Sequence, residues 1–245
     1  MSKENNLKDY LTDLYEGIVS KKPGASRNPQ NFRAEIESIE AGGNGVELPE
    51  WDGYVTTSDS SGNPIPTEGL AYVLASDGKS YYCKGIGTAT EKDIIIATTY
   101  NGLPVTKCDD GAFYSNKTIT GVTLGSNMTQ VGYQAFTFCA NLRRVIIPSS
   151  VTVISNRAFK GCSSLASVTL PNGVTTIQTY AFADCSYLSK ITIPNTVTSI
   201  GLYAFEDCNI LADVYYSGTE SEWNNRLSID TGNSCLKNAT IHYNS

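Results

Sequence analysis

The chain has 245 residues, of which 40% are hydrophobic and 17% charged, and its formal net charge is −6. That length accommodates one large domain and a small one, and an acidic balance without any basic stripe excludes nucleic acid as a partner. No run approaches the roughly 20 consecutive apolar residues of a bilayer-spanning helix, which argues against membrane insertion.

The opening MSKENNLKDYLTDLYEGIV carries charges throughout and lacks the apolar centre of a secretory signal. Folding in a cytosol with reduced thiols is therefore expected. The cysteine count of 7, an odd number, fits that compartment better than a disulfide scaffold.

Within 6–19, Leu7, Leu11, Leu14 and Ile18 recur on one face of a helix of about four turns. Pro23-Gly24 breaks the pattern, and a second helix begins near Pro29 with Asn28 as its cap. Phe32, Ile36 and Ile39 form its short apolar face. Two helices of this size bury too little surface to stand alone. Residues 1–40 are thus expected to be a helical attachment or oligomerisation module, docking through those seven apolar residues on copies of itself or on a larger partner. Residues 41–69, rich in Ser, Gly and Pro, are expected to be a linker, with VELPEWDGYV inside it as a short strand or docking segment.

Residues 70–104 are expected to form an N-terminal cap. LAYVLASDGKSYYCKGI (70–86) predicts a hairpin turning at Ser76-Asp77-Gly78, and DIIIATTYNGLPVT (93–106) leads onward. From 105 to 219 the chain repeats in five units of 23 residues without a gap. In the third unit the apolar positions are Val151, Ile154, Ala158, Phe159, Cys162, Leu165, Val168 and Leu170. The first unit is degenerate, with Cys108 at the Ile position and Asn116 at the Cys position. Val168-x-Leu170 has period two and predicts a strand, stopped by Pro171 as its counterparts are by Pro148 and Pro194. One unit cannot close a core, so units must stack, turning Phe113, Phe136, Phe159, Phe182 and Phe205 into a buried column. Residues 220–245 are expected to cap the other end: TESEW (219–223) starts a helix with a capping box, and LKNATIHY (236–243) forms a last strand. The fold class is therefore a mainly β tandem-repeat solenoid, capped at both ends and preceded by a small α-helical hairpin.

Cys139, Cys162, Cys185 and Cys208 recur in the repeat and invite a chemical role. A ladder points its side chains in parallel, whereas zinc needs convergent tetrahedral ligands and a disulfide needs a torsion near 90°. Small buried filler between Phe and Leu is the expected role, with disulfide and metal as alternatives. Asp109-Asp110 is weighed as a cation site and set aside as a solvated turn, and GGNG and KGIG lack the strand and helix that a phosphate loop needs. His242, the single histidine, falls in the last strand with no nucleophile assignable to it. No catalytic residue, cofactor or metal ligand is expected. What varies is surface. Flanking the strand positions are Arg143, Arg144 and Ile146, then Ala166, Ser167 and Thr169, then Ser189, Lys190 and Thr192, then Ala212, Asp213 and Tyr215. Tyr133, Tyr180 and Tyr203 lie on a second variable edge, and tyrosine suits recognition surfaces. These two sets are the candidate ligand-facing residues.

VTVISNRAFKGCSSLASVTLPNG resembles the BspA-like leucine-rich repeat, of form V-T-x-I-x-x-x-A-F-x-x-C-x-x-L-x-x-V-x-I-P, and the likeness covers about residues 70–245. That resemblance implies adhesion or recognition at bacterial surfaces. The first 43 or so residues, with KK-x-G, NPQNF, an acidic helix and a glycine pair in order, are similar to the starts of minor structural and tail-fibre-like proteins of phages and prophages of Gram-positive bacteria. Together they imply a homo-oligomeric, receptor-binding virion protein made in the bacterial cytoplasm. It would hold other tail or baseplate proteins through residues 1–40 and a protein or glycan of the host surface through the solenoid. A bacterial cell-surface adhesin of the same family is the alternative, and a glycan hydrolase is disfavoured.

Overall fold

A computed structural model of the chain describes residues 65–244. The helices expected at 6–19 and 29–39, their apolar residues Leu7, Leu11, Leu14, Ile18, Phe32, Ile36 and Ile39, and the segment from 41 to 64 lie outside the described residues. Strands β1 (Ala71–Leu74) and β2 (Tyr81–Gly85) form the expected hairpin, and Gly78 N–H donates to Ala75 O across its tip. After β3 (Asp93–Ile95), β4 (Thr99–Tyr100) folds back antiparallel on β5 (Leu103–Cys108).

Each later rung contributes two strands. One series is β6 (Gly121–Thr123), β8 (Arg144–Ile146), β10 (Ser167–Thr169), β12 (Lys190–Ile193) and β14 (Asp213–Tyr216). The other is β7 (Gln130–Val131), β9 (Val153–Ile154), β11 (Thr176–Ile177) and β13 (Ser199–Ile200). β15 (Ser228–Ile229) and β16 (Thr240–Tyr243) end the two series, making a solenoid of about 7 turns. The second series joins β1, β2 and β5 in one sheet, whereas the first is split into β3-β6-β8 and β10-β12-β14-β16.

The Val-x-Leu strand lies where its period places it: Val168 and Leu170 face inward while Ser167 and Thr169 face out. The second series is not visible as a period-two pattern. Val151 and Ile154 are both buried although three residues apart, because Val151 ends a turn closed by its N–H to Pro148 O and lies ahead of β9, whereas Ile154 lies within it. Only two residues then pair before the chain turns again. The register is strict, with Val131, Ile154, Ile177 and Ile200 stacked rung upon rung. Hydroxyls reinforce it: Thr129, Thr175 and Thr198 each donate to the carbonyl oxygen 23 residues earlier.

Strict register stacks like on like. The rings of Phe113, Phe136, Phe159, Phe182 and Phe205 form the expected column, with centroids 5.0 to 5.5 Å apart and planes within 15°. The corner that carries them is tight. In successive rungs Gln134, Arg157, Tyr180 and Tyr203 take φ of 54 to 57°, and Phe138, Asp184 and Asp207 take 57 to 59°.

Beyond the last repeat, α1 (Glu220–Asn225) begins with the expected capping box: Glu222 N–H donates to Thr219 Oγ1 and Thr219 N–H to Glu222 Oε2. Trp223 sets its ring edge-on to Tyr216, 5.1 Å away. The final strand is shorter than expected, since residues 236–238 belong to α2 (Ser234–Asn238). That single turn buries Leu236 in the core and follows Asn233, whose Oδ1 accepts from Phe205 N–H. In preceding rungs the Phe amide donates to an alanine carbonyl of the next rung, so Asn233 stands in for the missing rung. Phe159→Ala, in the middle of the column, is expected to cost about 3–5 kcal/mol, read as a lowered circular-dichroism melting temperature. An unchanged melt would contradict a tightly packed column.

Candidate functional site

The recurring cysteines are buried and free, as are Cys83 and Cys108. The expectation of inert filler needs one amendment. Sγ of Cys139, Cys162, Cys185 and Cys208 lies 3.0, 3.2, 3.3 and 3.1 Å from the carbonyl oxygen of Phe113, Phe136, Phe159 and Phe182 respectively. Each thiol thus bonds one rung to the one before. Burial pushes the thiols of Cys83, Cys139 and Cys208 up to about 12 and those of Cys108, Cys162 and Cys185 well above the ordinary value. A thiolate, the form that attacks or ligates, is therefore suppressed.

Asp109 and Asp110 are engaged by lysines: Lys84 lies 2.8 Å from Asp109 and Lys107 lies 2.8 Å from Asp110. Partial burial opposes ionisation of Asp109, but the hydrogen bonds from Lys84 and the Asp110 backbone, together with the charges of Lys84 and Lys107, outweigh it and hold the carboxyl below its usual range.

The outward strand positions form two rows. Ser167, Lys190, Asp213 and Thr240 are in register in one, and Thr169, Thr192, Tyr215 and His242 in the other. Ser167, Thr169 and Lys190 are exposed, and Thr192, Asp213 and Tyr215 are half-buried. Arg143, exposed, just precedes β8 of the neighbouring sheet, which opens with Arg144, 3.5 Å from Asp93. Gly121 sits between that last pair in the ladder, and any Cβ there would collide with both side chains. At the far end His242, not among the expected site residues, stacks on Tyr215 at 4.7 Å and places Nε2 2.7 Å from Asp213 Oδ1.

The second edge is brought together more tightly. Tyr180 and Tyr203 stack at 5.2 Å with planes 11° apart. The guanidinium of Arg157 lies 5.3 Å and Nζ of Lys160 5.0 Å from the Tyr180 ring centroid, a cation–π arrangement. Arg157 Nη1 donates to Tyr133 Oη at 2.9 Å, and Lys160 pairs with Asp184 at 2.7 Å. Arg157 and Lys160 were missed by sequence reasoning. Arg157 occupies the repeat position of Tyr180 and Tyr203, so reading that position down the array would have found it.

Two parallel ladders joined by tight corners around a Leu, Ile and Phe interior define a leucine-rich-repeat solenoid. The profile of the BspA type leucine-rich repeat region matches residues 104–226 in 6 copies, and the chain belongs to this family. The T. pallidum leucine-rich repeat protein TpLRR is 26% identical with a TM-score of 0.60, over 74% of this chain and 82% of that one. A leucine rich cell surface protein from Faecalibacterium prausnitzii A2-165 is 31% identical with a TM-score of 0.59; the match covers 67% of this chain and spans 42% of that protein. Pneumococcal vaccine antigen PcpA, 18% identical with a TM-score of 0.50, shares the fold. No functionally curated protein shows significant similarity to the chain.

The buried thiols have a consequence for pH. Their folded values stand above the unfolded value of about 8.5, so the stability they contribute is complete below that pH and is lost as pH rises toward the folded values. Each thiol then contributes a slope of about 1.4 kcal/mol per pH unit. Cys162→Ala is expected to be destabilised by about 1–3 kcal/mol at pH 7 through the lost hydrogen bond and the space left. Chemical denaturation should show the gap to the parent narrowing by about 2 kcal/mol between pH 8.5 and 10. A gap independent of pH would contradict burial of the thiol.

Proposed function

We propose that this chain is a non-catalytic recognition protein that displays its solenoid to a protein or glycan on a bacterial cell surface. One observation carries this: successive rungs repeat closely similar apolar inward residues, as with Val168, Ile191 and Val214, while the outward ones change in kind from rung to rung, as with Ser167, Lys190 and Asp213 or Thr169, Thr192 and Tyr215. A fixed interior with a varied exterior is how a repeat scaffold presents a binding surface. The groups that catalysis would draw on are otherwise engaged. The repeat thiols are buried, and His242 is held against Asp213 and Tyr215.

Two carriers of that surface have support. Similarity of the first 43 or so residues to tail-fibre-like proteins supports a receptor-binding protein of a phage or prophage, joined to itself and to other virion proteins through residues 1–40. The F. prausnitzii relative, described as a cell surface protein, supports an adhesin instead. Light scattering of the full chain beside a version lacking residues 1–45 separates them. The fibre reading expects an oligomer that becomes monomeric on truncation, and monomers in both samples would remove its support.

A further inference from the structure

Three of the residues held in left-handed backbone conformation are bulky aromatics: Phe138 at φ 59°, Tyr180 at 57° and Tyr203 at 56°. Other rungs place glycine at the same two repeat positions, Gly111 at φ 64° and Gly161 at 71°, where that conformation carries no Cβ penalty. Large side chains that persist at a strained backbone position where glycine also serves point to a use for the side chain.

That use is set by how the rings stand. Tyr203 lies over the backbone of Gly232, where any Cβ would collide with the ring. Tyr180 lies on Tyr203, and Arg157 and Lys160 hold cationic groups over Tyr180. Ring faces are therefore spent inside the column, leaving edges and hydroxyls as what a ligand can meet. At the head of the column Tyr133 is 40% exposed, and its oxygen accepts from Arg157, so its own proton is free to be donated elsewhere. The surrounding charges come in both signs, Lys160 being paired with Asp184 and Asp207 being exposed a rung further on. A polyanion or a polycation would meet repulsion from one sign or the other. An uncharged polyhydroxyl chain would not, since each hydroxyl both donates and accepts. The column advances 5.2 Å per rung, so a polymer lying along the solenoid axis engages successive rungs with repeated units and gains from multivalency.

We infer that the Tyr133–Arg157–Tyr180–Tyr203 ridge is a glycan-binding site that takes an uncharged polysaccharide extended along the solenoid axis. This rests on the recognition function proposed above and names its ligand class and its face.

The test is co-sedimentation of the full chain with insoluble probes: chitin, cellulose, and Gram-positive sacculi before and after removal of protein by protease and of phosphate polymers by hydrofluoric acid. The double variant Tyr180→Phe and Tyr203→Phe keeps the stack and removes both hydroxyls; Lys79→Ala, at the exposed tip of the β1–β2 hairpin, is the control. The expected result is binding to at least one of the protein-free, phosphate-free polysaccharides, weakened at least tenfold in the Tyr→Phe variant at an unchanged melting temperature and unaffected in the Lys79→Ala variant. Binding that ignores the Tyr→Phe change, or that needs the phosphate polymers, overturns the inference. Binding only to sacculi that retain their protein overturns it too, but leaves recognition standing with a protein as ligand. Failure to bind any preparation overturns both.

Discussion

Everything in this solenoid depends on one constraint: parallel pairing in which each residue lies over its counterpart one repeat away. Ile154 meets Val131 on one side and Ile177 on the other, and Ile191 lies between Val168 and Val214. The backbone bonds that enforce this are ordinary. Their consequence is severe, because a side chain is tolerated only if a near copy of itself can sit about 4.8 Å above and below. Phenylalanine meets that condition by face-to-face stacking with tilts of 2 to 15°. Cysteine meets it by reaching past its own rung to a phenylalanine carbonyl of the previous one, which a purely apolar side chain of similar size could not do.

On the outside the same constraint works in the opposite direction. Like charges stacked in register would repel, so outward positions alternate in kind. Asp93 reaches Arg144 over Gly121, Lys160 reaches Asp184, and Asp213 reaches His242. These pairs are exposed enough that each contributes little to stability. Their larger effect is to give the surface a local pattern without a dominant sign. At the ends the constraint fails, since the last rung has no successor. Asn233, α2 and Trp223 over Tyr216 supply the missing acceptor and the missing cover.

The parts legible in the sequence were those where period and position coincide. The 23-residue spacing gave away the phenylalanine column, the inward valines and leucines and the capping box at Thr219, because each repeats or has a local grammar. The two-residue strands were hidden, since Val151 ends a turn ahead of β9 and only Ile154 of the inward pair lies in the strand, which leaves no run of alternation. Residues 236–238 resembled the start of a strand, and burying Leu236 made them a helical turn instead. Of the candidate site, the two rows and the tyrosine edge were legible as positions. Their partners were not: His242 reaches Tyr215 across an insertion carrying α1 and α2, and Arg157 became visible only when its rung was laid beside that of Tyr180.

The register itself is the claim on which the rest stands, and it can be measured by pairwise crosslinking. In a Cys235→Ser background, Thr169→Cys with Thr192→Cys places two outward thiols directly opposite each other on adjacent strands, while Thr169→Cys with Lys190→Cys sets them off by two residues. Dibromobimane, which fluoresces once it bridges two neighbouring thiols, is predicted to label the first pair strongly and intramolecularly and the second weakly. Equal labelling of both pairs, or none of the first, would contradict in-register stacking and with it the surfaces built on it.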